Sequence, residues 1–391
     1  MADMAIKVNR ILIYVITMAF FVSTAYSDNV AIVAFIIGVP ALLLLANNLK
    51  EANLKTLNTI NIKFLYVLPV CISLIYFFSY EANDIYLISF AAIFVLVCLL
   101  VYLPDKNNIS NIANAWLIVG LINCLGIVAG LIEINFFNSN IFSKILYNTP
   151  YSNDQKNSVF GFLYNYNQAA YFLICSLALI DFQNIFSQKF TKFIKGLFLF
   201  SLFFTGSRVG LLYVLLVAIL FLFFEKNNRA ALSLIIGLCF SYVFLSNIII
   251  ASPDSYSIGS HHYRELIFSI FGYDFVLGTY GYFKVQAIDA ILTNGFFPYG
   301  IQNFINQYGF VPHNMVIGNL LGGGYLFAIS ILLIFLILLK DFITIYKSGA
   351  YFFSISGIVS YFAETMNWDF SHAMYFWILL LLIPFIREKC S

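Results

Sequence analysis

The sequence predicts an all-α fold, a polytopic transmembrane helical bundle of about 12 spans, with a large outer loop that contains short interfacial helices. Of the 391 residues, 62% are hydrophobic and 10% are charged, and the mean hydropathy is +0.90. Water-soluble domains are about half apolar and about a quarter charged. This composition therefore excludes a soluble fold. The net charge of +2 is too small to indicate a nucleic-acid partner.

Apolar runs of transmembrane length follow one another along the whole chain. A bilayer core of about 30 Å needs roughly 20 mainly apolar residues in a helix. The first run follows Lys7 and Arg10 and leads directly into further runs, so we expect an uncleaved first helix. A total of eleven or thirteen helices stays open. The predicted spans are 11–26, 30–47, 63–80, 86–104, 111–135, 166–182, 193–205, 209–225, 231–250, 314–339, 350–366 and 371–386.

The distribution of basic residues predicts the orientation of these spans. Cytoplasmic loops retain Lys and Arg, whereas translocated loops are depleted of them. With both termini in the cytoplasm, 15 of the 20 basic residues fall on the inner side, and every inner loop carries at least one. The exceptions on the outer side are Lys144, Lys156, Arg208, Arg264 and Lys284. Cations that break the rule suggest a function on the outer face.

Two long outer loops, 136–165 and 251–312, also lie on this face, together with all four histidines. The second loop is too long for a plain connection and contains amphipathic stretches at 263–271 and 282–292. We expect these stretches to form interfacial helices that cap a cavity. Arg264 and Lys284 lie on them and could face an anionic ligand, or could be solvated surface charges.

Arg208 stands where one predicted span ends and the next begins, in the sequence Thr205-Gly206-Ser207-Arg208. A guanidinium held at the membrane boundary by a tight turn suits bidentate binding of a phosphate or carboxylate. This pattern favours a diphosphate contact. The alternative is an arginine that reaches lipid headgroups from a helix end.

His313 follows Pro312 and precedes a mainly apolar run that starts near Asn314. It would therefore project from a helix N-terminus, where the positive helix end disfavours protonation of the imidazole. A neutral imidazole can accept a proton from a sugar hydroxyl, which is the role of a general base. The alternative is a capping or loop histidine.

The remaining motifs indicate neither a metal nor a cofactor. His261 and His262 lack a third ligand at helical spacing, and the six cysteines show no metal-ligand spacing. No Gly-rich nucleotide loop is present in the sequence. Energy for a reaction would therefore come from an already activated substrate.

The order of these motifs resembles the bacterial O-antigen ligase and O-antigen polymerase family. The resemblance places a core domain at 193–340, which includes loop 251–312, between N-terminal helices at 1–192 and C-terminal helices at 341–391. Three positions depart from the family pattern: Gln302 and Phe327 stand where glycine is usual, and Lys284 stands near the place of an arginine. The motifs that carry the resemblance are Thr205-Gly206-Ser207-Arg208, a large outer loop, 294–304, His313-Asn314 and Gly324.

What the resemblance implies is glycan transfer at the periplasmic face of the bacterial inner membrane, without a metal, from an undecaprenyl-diphosphate-linked donor. Arg208 and Arg264, with Lys284, would bind the leaving diphosphate, His313 would act on the acceptor hydroxyl, and Asn314 would contact substrate. The favoured activity is that of a polymerase acting on a lipid-linked repeat unit. The alternatives are a ligase that uses lipid A core as acceptor, and, from another class, a polysaccharide transporter. A chain-length regulator as protein partner stays open.

Overall fold

The computed structural model describes residues 10–18, 39–40, 43, 106–132, 161–162, 166–223, 229–245, 248–251, 265–270, 273–277, 279–294, 299–309, 317–318, 320–321, 324–325, 336, 339–363, 379, 382–383 and 386. Most of these residues are helical, as the sequence predicts. Predicted spans 63–80 and 86–104 lie outside the described residues, as do most residues of spans 30–47, 314–339 and 371–386.

Six predicted spans, from 111–135 to 231–250 and then 350–366, fall on helices to within five residues at each end. A single-turn 3₁₀ helix, Ile180–Phe182, extends α2. Residues 10–18 and 339–347 are also helical. The helices are α1 (Lys106–Ile132), α2 (Tyr166–Leu179), α3 (Gln188–Phe204), α4 (Arg208–Phe223), α5 (Arg229–Leu245), α6 (Thr279–Asn294), α7 (Ile301–Tyr308) and α8 (Tyr351–Ala363).

One helix in the described part of the chain is long and apolar enough to cross a membrane. It is the Ile109–Ile132 portion of α1, with 24 residues. At 1.5 Å per residue this portion is about 36 Å long, which exceeds the bilayer core. Shorter apolar helices occur in α4, α5 and α8. The number of spans stays a prediction.

Helix α2 forms the centre of the main core. Every residue from 169 to 179 is buried, and α1, α3, α4 and α8 all pack against this helix. Trp116 of α1 stacks on Phe172 at 4.5 Å between ring centroids. A Cβ at Gly120 would lie 2.7 Å from the Ser176 hydroxyl oxygen, so the glycine permits the close approach of α1 and α2.

Buried hydroxyl groups connect three helices inside this core. The Ser356 hydroxyl of α8 donates to the backbone oxygen of Ile174 in α2 at 3.1 Å. Since that bond uses its proton, Ser356 accepts from the Tyr213 hydroxyl of α4 at 2.9 Å. Both side chains are fully buried. The bonds hold α2, α4 and α8 in a fixed register.

The loop between α2 and α3 is closed by amide side chains. Asn114 of α1 donates to the Asn184 side chain at 2.8 Å and accepts from the Asn184 backbone N–H at 3.1 Å. Gln183 accepts from the N–H groups of Ile185 and Phe186, each at 2.8 Å, and donates to Thr191 at 2.8 Å. The polar groups of this loop thus find their partners within the fold.

A three-stranded antiparallel sheet follows α5 and corrects the all-α prediction. Strands β1 (Ile248–Ala251), β2 (Glu265–Ile270) and β3 (Tyr273–Leu277) have the order β1-β3-β2, with Ile250 opposite Phe275. The predicted helix at 263–271 is wrong, because β2 occupies it. Leu266, Phe268 and Ile270 alternate along β2, and this period of two is typical of a strand. The predicted helix at 282–292 is confirmed as part of α6.

Helices α6 and α7 build a second, smaller core outside the main bundle. Phe283 and Ala287 of α6 pack with Phe304 of α7 and with the helical residues Ile317 and Leu321. Gly300, with φ of 92°, precedes α7 and donates its N–H to the backbone oxygen of Leu321 at 3.0 Å. This core sets the position of α6.

Candidate functional site

The turn between α3 and α4 is tightly built from its own side chains. The Thr205 hydroxyl donates to the backbone oxygen of Leu202 at 2.7 Å and accepts from the Ser207 N–H at 3.3 Å. Gly206 has φ of 68°, a conformation that glycine adopts without strain. Thr205 and Ser207 are fully buried. The backbone leading to Arg208 therefore has little freedom.

Ser207 caps the first turn of α4 and ties it to α2. Its hydroxyl donates to the Asn167 side-chain oxygen at 2.7 Å and lies 3.5 Å from the Gly210 N–H, the usual partner of an N-cap side chain. A Cβ at Gly210 would lie 3.0 Å from the backbone oxygen of Leu202, so only a small residue fits between α3 and α4. Arg208 is the first residue of α4, and its side chain is exposed.

Lys284 is the second basic residue of this region. It lies on the buried face of α6, with 6% of its surface exposed. Burial and, to a lesser extent, the positive charge of Arg208 lower the pKa of its ammonium group to about 8. Two of the predicted site residues, Arg208 and Lys284, thus interact electrostatically, although α4 and α6 are separated in the chain by α5 and the sheet.

The region that contains the N-terminus of α4, Arg208 and Lys284 is electrostatically positive. The N-terminus of α4 carries the partial positive charge of the helix dipole. Two basic side chains add to that field, and like charges in a partly buried place repel each other. A ligand that carries two or more negative charges, such as a diphosphate, would lower the energy of this arrangement.

Three predicted site residues, Arg264, His313 and Asn314, lie outside the described residues. Arg264 precedes β2 in the chain, and β3, the partner of β2, packs beside α6. Ile317 and Leu321 follow His313-Asn314 and pack in the second core with α6. The roles of these three residues stay predictions.

Amide side chains inside the predicted spans are the polar residues that sequence reasoning missed. Asn123 of α1 is fully buried, and its side-chain oxygen accepts from the Phe162 N–H at 3.2 Å. Asn167 and Gln168 are the second and third residues of α2. An uncharged amide within an apolar run was the sequence signal that could have identified these residues. The sequence analysis counted charged residues only and therefore overlooked it.

Comparison with known proteins adds no family assignment: no protein-family model, no curated protein and no solved structure matches this chain.

Proposed function

We propose that this chain is an integral membrane glycosyltransferase that acts as an O-antigen polymerase. It transfers a glycan from an undecaprenyl-diphosphate-linked donor to a lipid-linked repeat unit at the periplasmic face of the bacterial inner membrane. The observations that carry the proposal are the position of Arg208 as the first residue of α4 and its electrostatic effect on the buried ammonium group of Lys284. The motifs that begin at Thr205 resemble those of the O-antigen ligase and polymerase family. On the basis of this resemblance we interpret the two cations as a binding site for the donor diphosphate.

In the proposed reaction the acceptor hydroxyl oxygen forms a bond to the anomeric carbon of the donor sugar. The bond between that carbon and the diphosphate oxygen breaks, and the electron pair leaves with the diphosphate. Arg208, Lys284 and Arg264 stabilise the charge that develops on the leaving group. His313 takes the proton of the acceptor hydroxyl, and Asn314 contacts the substrate.

The membrane assignment is supported by the outer surfaces of the helices. Leu125 of α1, Phe193 of α3 and Leu222 of α4 each expose more than half of their surface. Large exposed apolar side chains on several helices favour an apolar solvent, which a bilayer supplies. Twelve spans, two cytoplasmic termini and a periplasmic site complete the proposed topology.

The direct test uses the purified protein in liposomes with a lipid-linked repeat unit as both donor and acceptor. The wild type should lengthen the glycan without added metal, and His313→Ala should reduce the rate about a hundredfold or more. Exposed Lys192 on α3 supplies a matched control, since Lys192→Ala removes a charge far from the proposed site. Translocation of the glycan without any transfer would instead indicate a transporter and would overturn the proposal.

Deletion of the gene separates polymerase from ligase. A polymerase deletion should leave lipid A core carrying one repeat unit, because ligation continues while elongation stops. Accumulation of long lipid-linked polymer with bare lipid A core would show that the chain is the ligase. Normal surface polysaccharide in the deletion strain would exclude both activities.

A further inference from the structure

A second polar feature lies at the interface of α1 and α2, which we call the amide seam and define as Asn123 and Gln168. On α1, Trp116, Gly120 and Asn123 follow one another at spacings of four and three residues, so they share one helix face. Trp116 stacks on α2, and Gly120 packs against Ser176 of α2. Asn123 therefore faces α2.

Gln168 faces α1 by the same argument. It precedes Phe172 by four residues and Ser176 by eight, and both of these contact α1 through Trp116. The helices run antiparallel, because Gly120 lies against Ser176 whereas Gly126 lies against Phe162, which precedes α2. Asn123 and Gln168 are then roughly one helical turn apart along the interface.

The amide seam presents one hydrogen-bond donor and one acceptor without partners. The Asn123 side-chain nitrogen and the Gln168 side-chain oxygen are both buried, and neither makes a hydrogen bond within the described part of the chain. Buried polar atoms are almost always paired, since an unmade bond lowers stability. A hydroxyl group donates one hydrogen bond and accepts others, so it complements this pair.

The amide seam adjoins the proposed reaction centre. Gln168 follows Asn167, which accepts from the Ser207 hydroxyl, and Ser207 precedes Arg208. On its other side the 161–162 segment covers Asn123: a Cβ at Gly161 would lie 2.6 Å from the Asn123 side-chain oxygen. This segment belongs to the predicted outer loop 136–165. Phe162 donates its backbone N–H to the Asn123 side chain at 3.2 Å and packs on the main core.

We propose that Asn123 and Gln168 form a hydroxyl-binding subsite that holds one sugar hydroxyl of the acceptor glycan. This inference rests on the proposed function and deepens it, because it assigns residues to the acceptor. Residues 161–162 cover Asn123, so the binding of a sugar hydroxyl there requires their displacement. An internal water molecule has the same hydrogen-bonding chemistry, and the experiment separates the two sources.

The test replaces the amides by apolar groups of similar size, Gln168→Met and Asn123→Leu, in the purified full-length protein. Loss of the bond to the sugar should raise the KM for the acceptor about tenfold, with kcat and the KM for the donor nearly unchanged. For Gln168→Met the Tm should stay equal or rise, because an unpaired buried polar atom is removed, whereas Asn123→Leu also removes the acceptor of the Phe162 N–H and should lower the Tm. Asn114→Leu is the matched control on the same helix; it removes a paired amide and should lower Tm without changing KM.

The outcomes distinguish this inference from the function on which it rests. If the wild type is active and both variants have an unchanged KM, the subsite proposal is wrong. The amide seam would then bind an internal water molecule and no sugar hydroxyl. An inactive wild type overturns the proposed function and the subsite with it. If Gln168→Met lowers Tm, Gln168→Glu keeps an acceptor oxygen in place, and its KM should be close to that of the wild type. A tenfold higher KM for Gln168→Glu with an unchanged Tm would also overturn the inference.

Discussion

The two ends of α3 differ in how their polar residues are arranged. At the Gln188 end, the side chains satisfy one another: Asn114 pairs with Asn184, and Lys195 forms an ion pair with Asp181. At the Phe204 end, the positive charge of Arg208 acts unfavourably on the buried ammonium group of Lys284. The polar pairs named at the first end are complementary, whereas the interaction between Arg208 and Lys284 is one between like charges.

This difference separates a structural role from a functional one. Paired polar groups stabilise a fold, and their removal lowers the free energy of unfolding. Like charges brought together repel each other, so the fold must supply the energy that holds them in place. Chains retain such unfavourable arrangements mainly where a ligand uses them. The comparison therefore predicts that substitutions at the Phe204 end change activity, whereas those at the Gln188 end change stability.

The largest expected effect is that of Arg208→Ala on glycan transfer. Loss of the guanidinium should lower kcat about a hundredfold or more, because a group that stabilises developing charge is removed. Arg208→Lys keeps the charge and loses the planar fork, so its kcat should lie between the two. The Tm should be nearly unchanged, since the side chain is exposed. Transfer at the wild-type rate in Arg208→Ala would contradict the functional role assigned to the Phe204 end of α3.

The second effect concerns Asn114, at the other end. Asn114→Leu leaves the Asn184 backbone N–H and side chain without their partner, and the free energy of unfolding should fall by about 1–3 kcal/mol. Denaturant unfolding in detergent measures this change, and transfer activity per folded molecule should persist. Asn111, half-buried on the same helix, supplies the control Asn111→Leu, for which a much smaller loss is expected. Equal losses would mean that the pairing with Asn184 does not stabilise the loop.

The third effect is a pH dependence of anion binding at the Phe204 end of α3. The pKa of Lys284 is lowered to about 8 from its usual 10.5, and a bound anion raises it again. Because the protonated form binds the anion better, affinity is greatest below pH 8 and falls as the pH rises through that value. The Kd for inorganic pyrophosphate should rise about tenfold between pH 7 and pH 9.

Lys284→Arg is the matched control for this titration. The arginine keeps its charge over the whole range, so any remaining pH dependence belongs to pyrophosphate itself. Subtracting the two profiles isolates the contribution of Lys284. Identical profiles for the wild type and Lys284→Arg would show that Lys284 does not contact the anion.

The sequence predicted the helices better than it predicted the site. Runs of apolar residues are sufficient to locate α1, α2 and α4, because each of these helices coincides with one such run. Strand β2 was missed, since its short apolar run fits either period until its hydrogen-bond partner is known. The burial of Lys284 depends on how α6 packs in the second core, which no local pattern encodes. The amides were overlooked because the orientation argument counts charges only.

The smallest expected effect is that of Lys195→Met, which removes the ion pair with Asp181 at the Gln188 end. Both side chains keep more than a fifth of their surface exposed, so water screens the attraction and the loss should be under about 1 kcal/mol. Methionine keeps most of the chain length and can still pack on the Phe352 ring, above which the Lys195 ammonium lies at 4.7 Å. The difference between the variant and the wild type should shrink further at high salt, because ions screen exposed charges. A loss above about 2 kcal/mol that persists in high salt would mean that charge, and not amide pairing, holds this end together.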